Sequence, residues 1–69
     1  MQRIPLSSST IVSVGYDTST QVMEVEFSSG QIYQYFEVPE GFYDGLISDP
    51  SPGRYLSENV KGVFRYARV

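Results

Sequence analysis

The chain has 69 residues, a formal net charge of −3, and neither cysteine nor histidine. Those two absences exclude disulfide bracing, thiolate chemistry, the usual zinc ligand sets and an imidazole general base. A single domain of this size buries only about 60% of its unfolded surface, so the core must come from large side chains, and six Tyr and four Phe are available for it.

Residues 1–8, with Pro5 and a serine run at 7–9, read as a loose lead-in. No apolar h-region follows, and no stretch is long and apolar enough to span a bilayer, so the expectation is a soluble cytoplasmic protein. From Thr10 the pattern is strand-like, with Val12, Val14 and Tyr16 on one face and Ile11, Ser13 and Gly15 on the other. Asp17-Thr18-Ser19-Thr20 is a turn. Val22 to Phe27 alternates again: Met23, Val25 and Phe27 face one way, Glu24 and Glu26 face water.

The loop at Ser28-Ser29-Gly30 sets the register of the next hairpin. A three-residue loop with Gly30 left-handed pairs Phe27 with Gln31, Val25 with Tyr33 and Met23 with Tyr35, which puts both tyrosines on the apolar face. A two-residue loop moves every side chain to the other face and sets the tyrosines against Glu24 and Glu26. The first register is favoured because it gathers the larger rings with Met23 and Val25. It leaves Ile32 and Phe36 on the outer face.

Pro39 suits a first helical position, and Phe42, Tyr43, Leu46 and Ile47 then repeat at helical spacing. Gly41 and Gly45 each weaken that helix by about 1 kcal/mol relative to alanine. Asp49-Pro50 ends it. Ser51 and Pro52 start a second short helix with Tyr55, Leu56 and Val60 on its buried stripe and Gly62 as its stop. Residues 63–69 remain open between a fourth strand, a further helical turn and an ordered extension. The fold class is α+β in the order β-β-β-α-α: a three-stranded antiparallel meander with two short helices packed on one face, all within one domain over residues 1–69.

Several stretches in this order match a known family: Gly15-Tyr16-Asp17; Val22, Val25 and Phe27; Gly30-x-Ile32-Tyr33-x-Tyr35-x-x-Val38-Pro39; Leu46; Ser51-x-Gly53-x-Tyr55-Leu56; and Val60. Over about residues 8–66 the chain resembles the KTSC domain, which occurs as a C-terminal appendage of some lysyl-tRNA synthetases and alone as a small bacterial or phage protein. The resemblance implies a domain without agreed catalytic residues, for which RNA binding has been suggested. The family's tyrosines fall on Tyr33 and Tyr35, and its helix start on Ser51 and Gly53. The first helix departs from the family pattern, with Gly45 and no basic residue.

Charge is unevenly spread. Residues 1–52 hold Arg3 against seven carboxylates, whereas residues 53–69 hold Arg54, Lys61, Arg65 and Arg68 against Glu58 alone. These four cations, interleaved with Tyr55, Phe64 and Tyr66, fit a nucleic-acid contact in which cations meet phosphates and Tyr33, Tyr35 or Tyr66 stack on unpaired bases. The blander alternatives are cross-strand core tyrosines and a solvated terminus paired with acidic groups such as Asp44 and Glu58. Glu24 and Glu26 lie side by side on a strand but read as a wet face; Glu37, Glu40 and Asp44 suit a helix start. No nucleophilic triad or phosphate loop can be written from the serine run and the glycines. The sequence therefore points to a non-catalytic module without cofactor or metal. Its expected partner is RNA (tRNA-like) or another single-stranded nucleic acid; the alternative is another protein or a second copy, bound through an exposed sheet face carrying Ile32 and Phe36 or through an unpaired edge.

Overall fold

The computed structural model describes residues 1–69. In chain order the elements are β1 (Arg3–Pro5), β2 (Ile11–Asp17), β3 (Val22–Phe27), β4 (Ile32–Tyr35), α1 (Glu40–Ser48), α2 (Pro52–Asn59) and β5 (Tyr66–Arg68). All five strands form one antiparallel sheet in the order β1-β2-β3-β4-β5.

The second hairpin adopts the three-residue loop. Phe27 N–H donates to the Gln31 carbonyl at 2.9 Å, and Gly30 N–H donates to the Phe27 carbonyl at 2.9 Å. Gly30 sits at φ +94°, a conformation that costs glycine little and other residues more. Met23 therefore faces Tyr35, and Val25 faces Tyr33.

Simple alternation fails in β2. The register shifts between Ile11 and Ser13, so Ile11 pairs with Phe27 while Ser13 pairs with Glu26. Val12 is the extra residue of a β-bulge and is exposed. The bulge turns Ile11 to the same side as Val14, and both are fully buried, whereas strict alternation had placed them on opposite faces.

Two further strands extend the expected meander. The lead-in is not loose throughout: Arg3–Pro5 pairs with Gly15–Ser13 as β1. Pro5 is tolerated because this is an edge strand, where one side of the backbone needs no partner. At the other margin the tail returns beside β4 as β5, with Phe36 N–H donating to the Arg65 carbonyl at 2.9 Å and Val69 N–H to the Ile32 carbonyl at 2.8 Å.

Both helices cover the face that carries Met23 and Val25. Leu46 from α1 and Leu56 from α2, followed by Val60, join Ile11, Val14, Met23, Val25, Tyr35 and Val38 in one buried cluster. Complete burial of an aliphatic side chain of this kind contributes roughly 1.5–3 kcal/mol. Pro39 occupies the N-cap of α1, one residue before the position expected of it. Ser51 is the N-cap of α2, but its side chain makes no capping bond; its N–H instead donates to the Asp49 carboxylate at 2.8 Å.

The opposite face is polar and internally bonded. Arg3 reaches across Gly15 to Glu24 at 3.4 Å, and Gln34 Nε2 donates to Glu24 Oε1 at 2.9 Å. Ser13 Oγ donates to Glu26 Oε1 at 2.9 Å. Ile32 and Phe36 are half-buried rather than openly exposed, so they do not form the bare apolar face that the chosen register suggested.

Candidate functional site

The pairing of β5 with β4 decides which side chains meet. Tyr66 lies opposite Tyr35, and Arg68 lies opposite Tyr33. Because Tyr35 and Tyr33 in turn face Met23 and Val25, all of these side chains project from the helix-covered face. The helices stop short of the β5 margin, and there the core passes into an open aromatic wall. Tyr35 is 1% exposed, Tyr33 is half-buried, and Tyr66 is 59% exposed.

The rings are in mutual contact. Tyr33 and Tyr66 stack with centroids 5.1 Å apart and planes inclined by 8°. Tyr35 tilts against both, at 6.4 Å from Tyr33 and 5.9 Å from Tyr66. Phe27 continues the row, edge-on to Tyr33 at 5.3 Å. Such pairs contribute about 0.5–1.5 kcal/mol beyond their burial, which holds the wall in place.

Facing this wall is the turn that ends α2. Lys61 N–H donates to the Leu56 carbonyl at 2.9 Å, Val63 N–H to Val60 at 3.1 Å and Phe64 N–H to Val60 at 3.2 Å. Gly62, at φ +78°, makes this reversal possible. Tyr33, Tyr35, Tyr66, Lys61 and Gly62 together line a cavity of about 230 Å³. Nothing lies within 4 Å of the point where a Cβ on Gly62 would project, so that wall is bare backbone.

The four cations of the C-terminal region are not equivalent. Arg54 pairs with Glu58 at 3.8 Å along α2, and Arg65 pairs with Glu37 at 2.8 Å. Lys61 and Arg68 have no carboxylate within 4.0 Å. The Lys61 ammonium lies 5.4 Å above the Phe27 ring, close enough for cation–π attraction. The structure thus gathers Tyr33, Tyr35, Lys61 and Tyr66 around one cavity and sets Arg68 next to it by register. Arg54 and Arg65 are held elsewhere by carboxylates.

Two members of the site were not singled out from sequence. Phe27 read as a core residue, and Gly62 read as a helix stop; only the return of β5 brings both to the tyrosines. The tyrosines lie at the margin of the helix-covered face rather than on an open face of the sheet.

Burial raises the Tyr35 phenol to about 12, with the neighbouring Tyr33 and Tyr66 phenols adding to the effect. Tyr16 is also raised, first by burial and then by Glu40, Asp17 and Asp44. It donates a hydrogen bond to the Val38 carbonyl and stacks on Tyr43 at 5.4 Å. These contacts tie β2 to α1 and leave Tyr16 in a packing role. Glu24 and Glu26, engaged by Arg3, Gln34 and Ser13, form the polar outer face described above rather than a carboxylate pair free for acid–base work.

The KTSC domain model matches residues 7–64. An uncharacterised protein of Stutzerimonas stutzeri is 41% identical over 70 residues, covering 100% of this chain and 99% of its own length. A lysine–tRNA ligase of Nostoc punctiforme is 34% identical over 61 residues, and the match covers 88% of this chain but only 11% of the ligase. Among solved structures, a KTSC domain protein from Yersinia pestis superposes with a TM-score of 0.93 at 39% identity, covering 99% of this chain and 96% of that one.

Proposed function

The chain belongs to the KTSC domain family, and from that premise we propose that it is a non-catalytic binding module for single-stranded nucleic acid, RNA above all. The observation that carries this reading is the conjunction of an exposed, stacked Tyr66 with two cations, Lys61 and Arg68, that no carboxylate neutralises. A solvent-facing ring is a stacking surface that any base can use, at about 1–3 kcal/mol per base. The adjacent cations suit the phosphates that flank such a base. The similarity to a segment of lysine–tRNA ligases supports RNA as the polymer.

The test is a titration of a fluorescently labelled single-stranded RNA at low salt against the native protein and Tyr66→Ala. Binding by the native chain, weakened at least about fivefold by loss of one base stack, is the expected result. No binding at high micromolar protein overturns the reading.

A second reading, protein interaction, is favoured by one specific feature. Phe36, Gly62, Val63, Phe64, Arg65 and Tyr66 line an open groove beside β5, and Val63 is 61% exposed at its edge. Exposed apolar surface of this kind marks contact sites. Sedimentation at high concentration distinguishes the self-associating version: a dimer whose formation is abolished by Val63→Asp supports it, and a monomer removes it.

A further inference from the structure

The tyrosine-walled cavity has a polar group at its floor. Tyr35 is 1% exposed as a residue and lines the cavity, and its hydroxyl makes no hydrogen bond within the protein yet is not among the atoms sealed from solvent. A phenol in this position keeps both its donor and its acceptor free for whatever enters the cavity. The side walls are the rings of Tyr33 and Tyr66 and the bare backbone of Gly62, so the space admits a flat group lying between an aromatic surface and a peptide. Its volume, about 230 Å³, has room for a single planar heterocycle and not for a base pair.

We infer that this cavity receives one unstacked nucleobase of a single strand and that the Tyr35 hydroxyl hydrogen-bonds the edge of that base. Tyr35 is then the residue that confers base preference, while Tyr66 supplies stacking and Lys61 and Arg68 supply contacts that do not depend on sequence. A base in a duplex is excluded because its faces are covered and its pairing edge is occupied. The inference rests on the nucleic-acid reading above and adds to it a direction: preference among bases, located in one hydroxyl.

The experiment compares the ribohexamers A6, C6 and U6 by fluorescence anisotropy on the native chain and on Tyr35→Phe, with a thermal melt to verify that the variant is folded. The native chain should favour one hexamer, and Tyr35→Phe should weaken that hexamer about three- to tenfold while leaving the others unchanged. In parallel, NMR of ring-labelled tyrosine should show the Tyr35 signals shifting on addition of the favoured hexamer. If Tyr35→Phe binds all three as the native chain does, or if the Tyr66 signals move while those of Tyr35 stay fixed, the base stacks only on the outer ring; the inference then falls and the nucleic-acid reading stands. If no hexamer binds, both fall.

Discussion

The ring of Tyr55 on α2 lies directly against the backbone of Gly45 on α1, so that a Cβ at position 45 would stand 2.7 Å from Tyr55 Cζ. Close approach of the two helices therefore depends on a residue that weakens α1 as an isolated helix. Two effects oppose each other when alanine replaces Gly45: helix propensity favours alanine by about 1 kcal/mol, and forcing atoms into a filled space costs about 1–3 kcal/mol.

The sign of that substitution should depend on Tyr55. In the native background, Gly45→Ala is expected to destabilise by up to about 2 kcal/mol. In a Tyr55→Ala background the collision is gone, and the same change should stabilise by up to about 1 kcal/mol. Urea unfolding of the four proteins of this cycle reads the coupling directly; additive effects would show that the contact carries no energy.

Gly15 should be equally intolerant, for a different reason. A Cβ there would lie 2.5 Å from the Gln2 carbonyl oxygen and 3.0 Å from Arg3 Cγ. The first neighbour is backbone and cannot swing aside. Gly15→Ala is expected to cost about 1–3 kcal/mol and to detach β1 from β2. Amide exchange should show Ile4 losing protection while β3 and β4 keep theirs; unchanged protection at Ile4 would contradict this account of β1.

The salt dependence of nucleic-acid binding should reflect two cations rather than four. Arg54 and Arg65 are already paired with Glu58 and Glu37, which leaves Lys61 and Arg68. On single strands two phosphate contacts give a slope of log affinity against log salt of about −1.4, whereas four give about −2.8. Lys61→Ala and Arg68→Ala should each flatten the slope by about 0.7, and Arg54→Ala should leave it unchanged. A native slope near the larger value would mean that the ion pairs open on binding.

Alkaline pH should unfold the chain through its buried phenols. Tyr35 is raised from 10.0 to about 12 in the folded protein, so the unfolded state loses that proton first. The associated stability is complete below about pH 10 and is lost as pH rises toward 12. Burial raises Tyr43 as well, with Asp44 adding to it, and Tyr16 moves in the same direction. Tyrosinate absorbance at 295 nm should rise in two stages, the later one coinciding with loss of near-ultraviolet circular dichroism. A single early rise with the fold intact would show that Tyr35 is open to solvent.

The parts of this fold that follow local rules were legible in the sequence. Gly30 and the clustering of rings with Met23 and Val25 selected the correct hairpin register, because turn chemistry and burial agreed. The spacing of Phe42, Tyr43, Leu46 and Ile47, and of Tyr55, Leu56 and Val60, located both helices. The bulge at Val12 was hidden because alternation assumes one residue per pairing step. β1 was hidden by Pro5, a residue that argues against a strand everywhere except at an edge. The site was only half visible. The tyrosines and cations could be named, but which cations remain unpaired depends on Glu37 meeting Arg65 across 28 residues of chain. Likewise, the cavity exists only because β5 returns to β4, which residues 63–69 alone did not specify.

β1 and β5, the two margins of the sheet, are each three residues long. Both carry an arginine and the first also a proline, and a bulge bends the neighbouring strand beside the first margin. Such borders give an incoming strand little to zip onto. A polypeptide this rich in tyrosine and valine would otherwise be a template for ordered aggregation, and these blunt ends turn that growth away while leaving the broad aromatic surface free for smaller visitors.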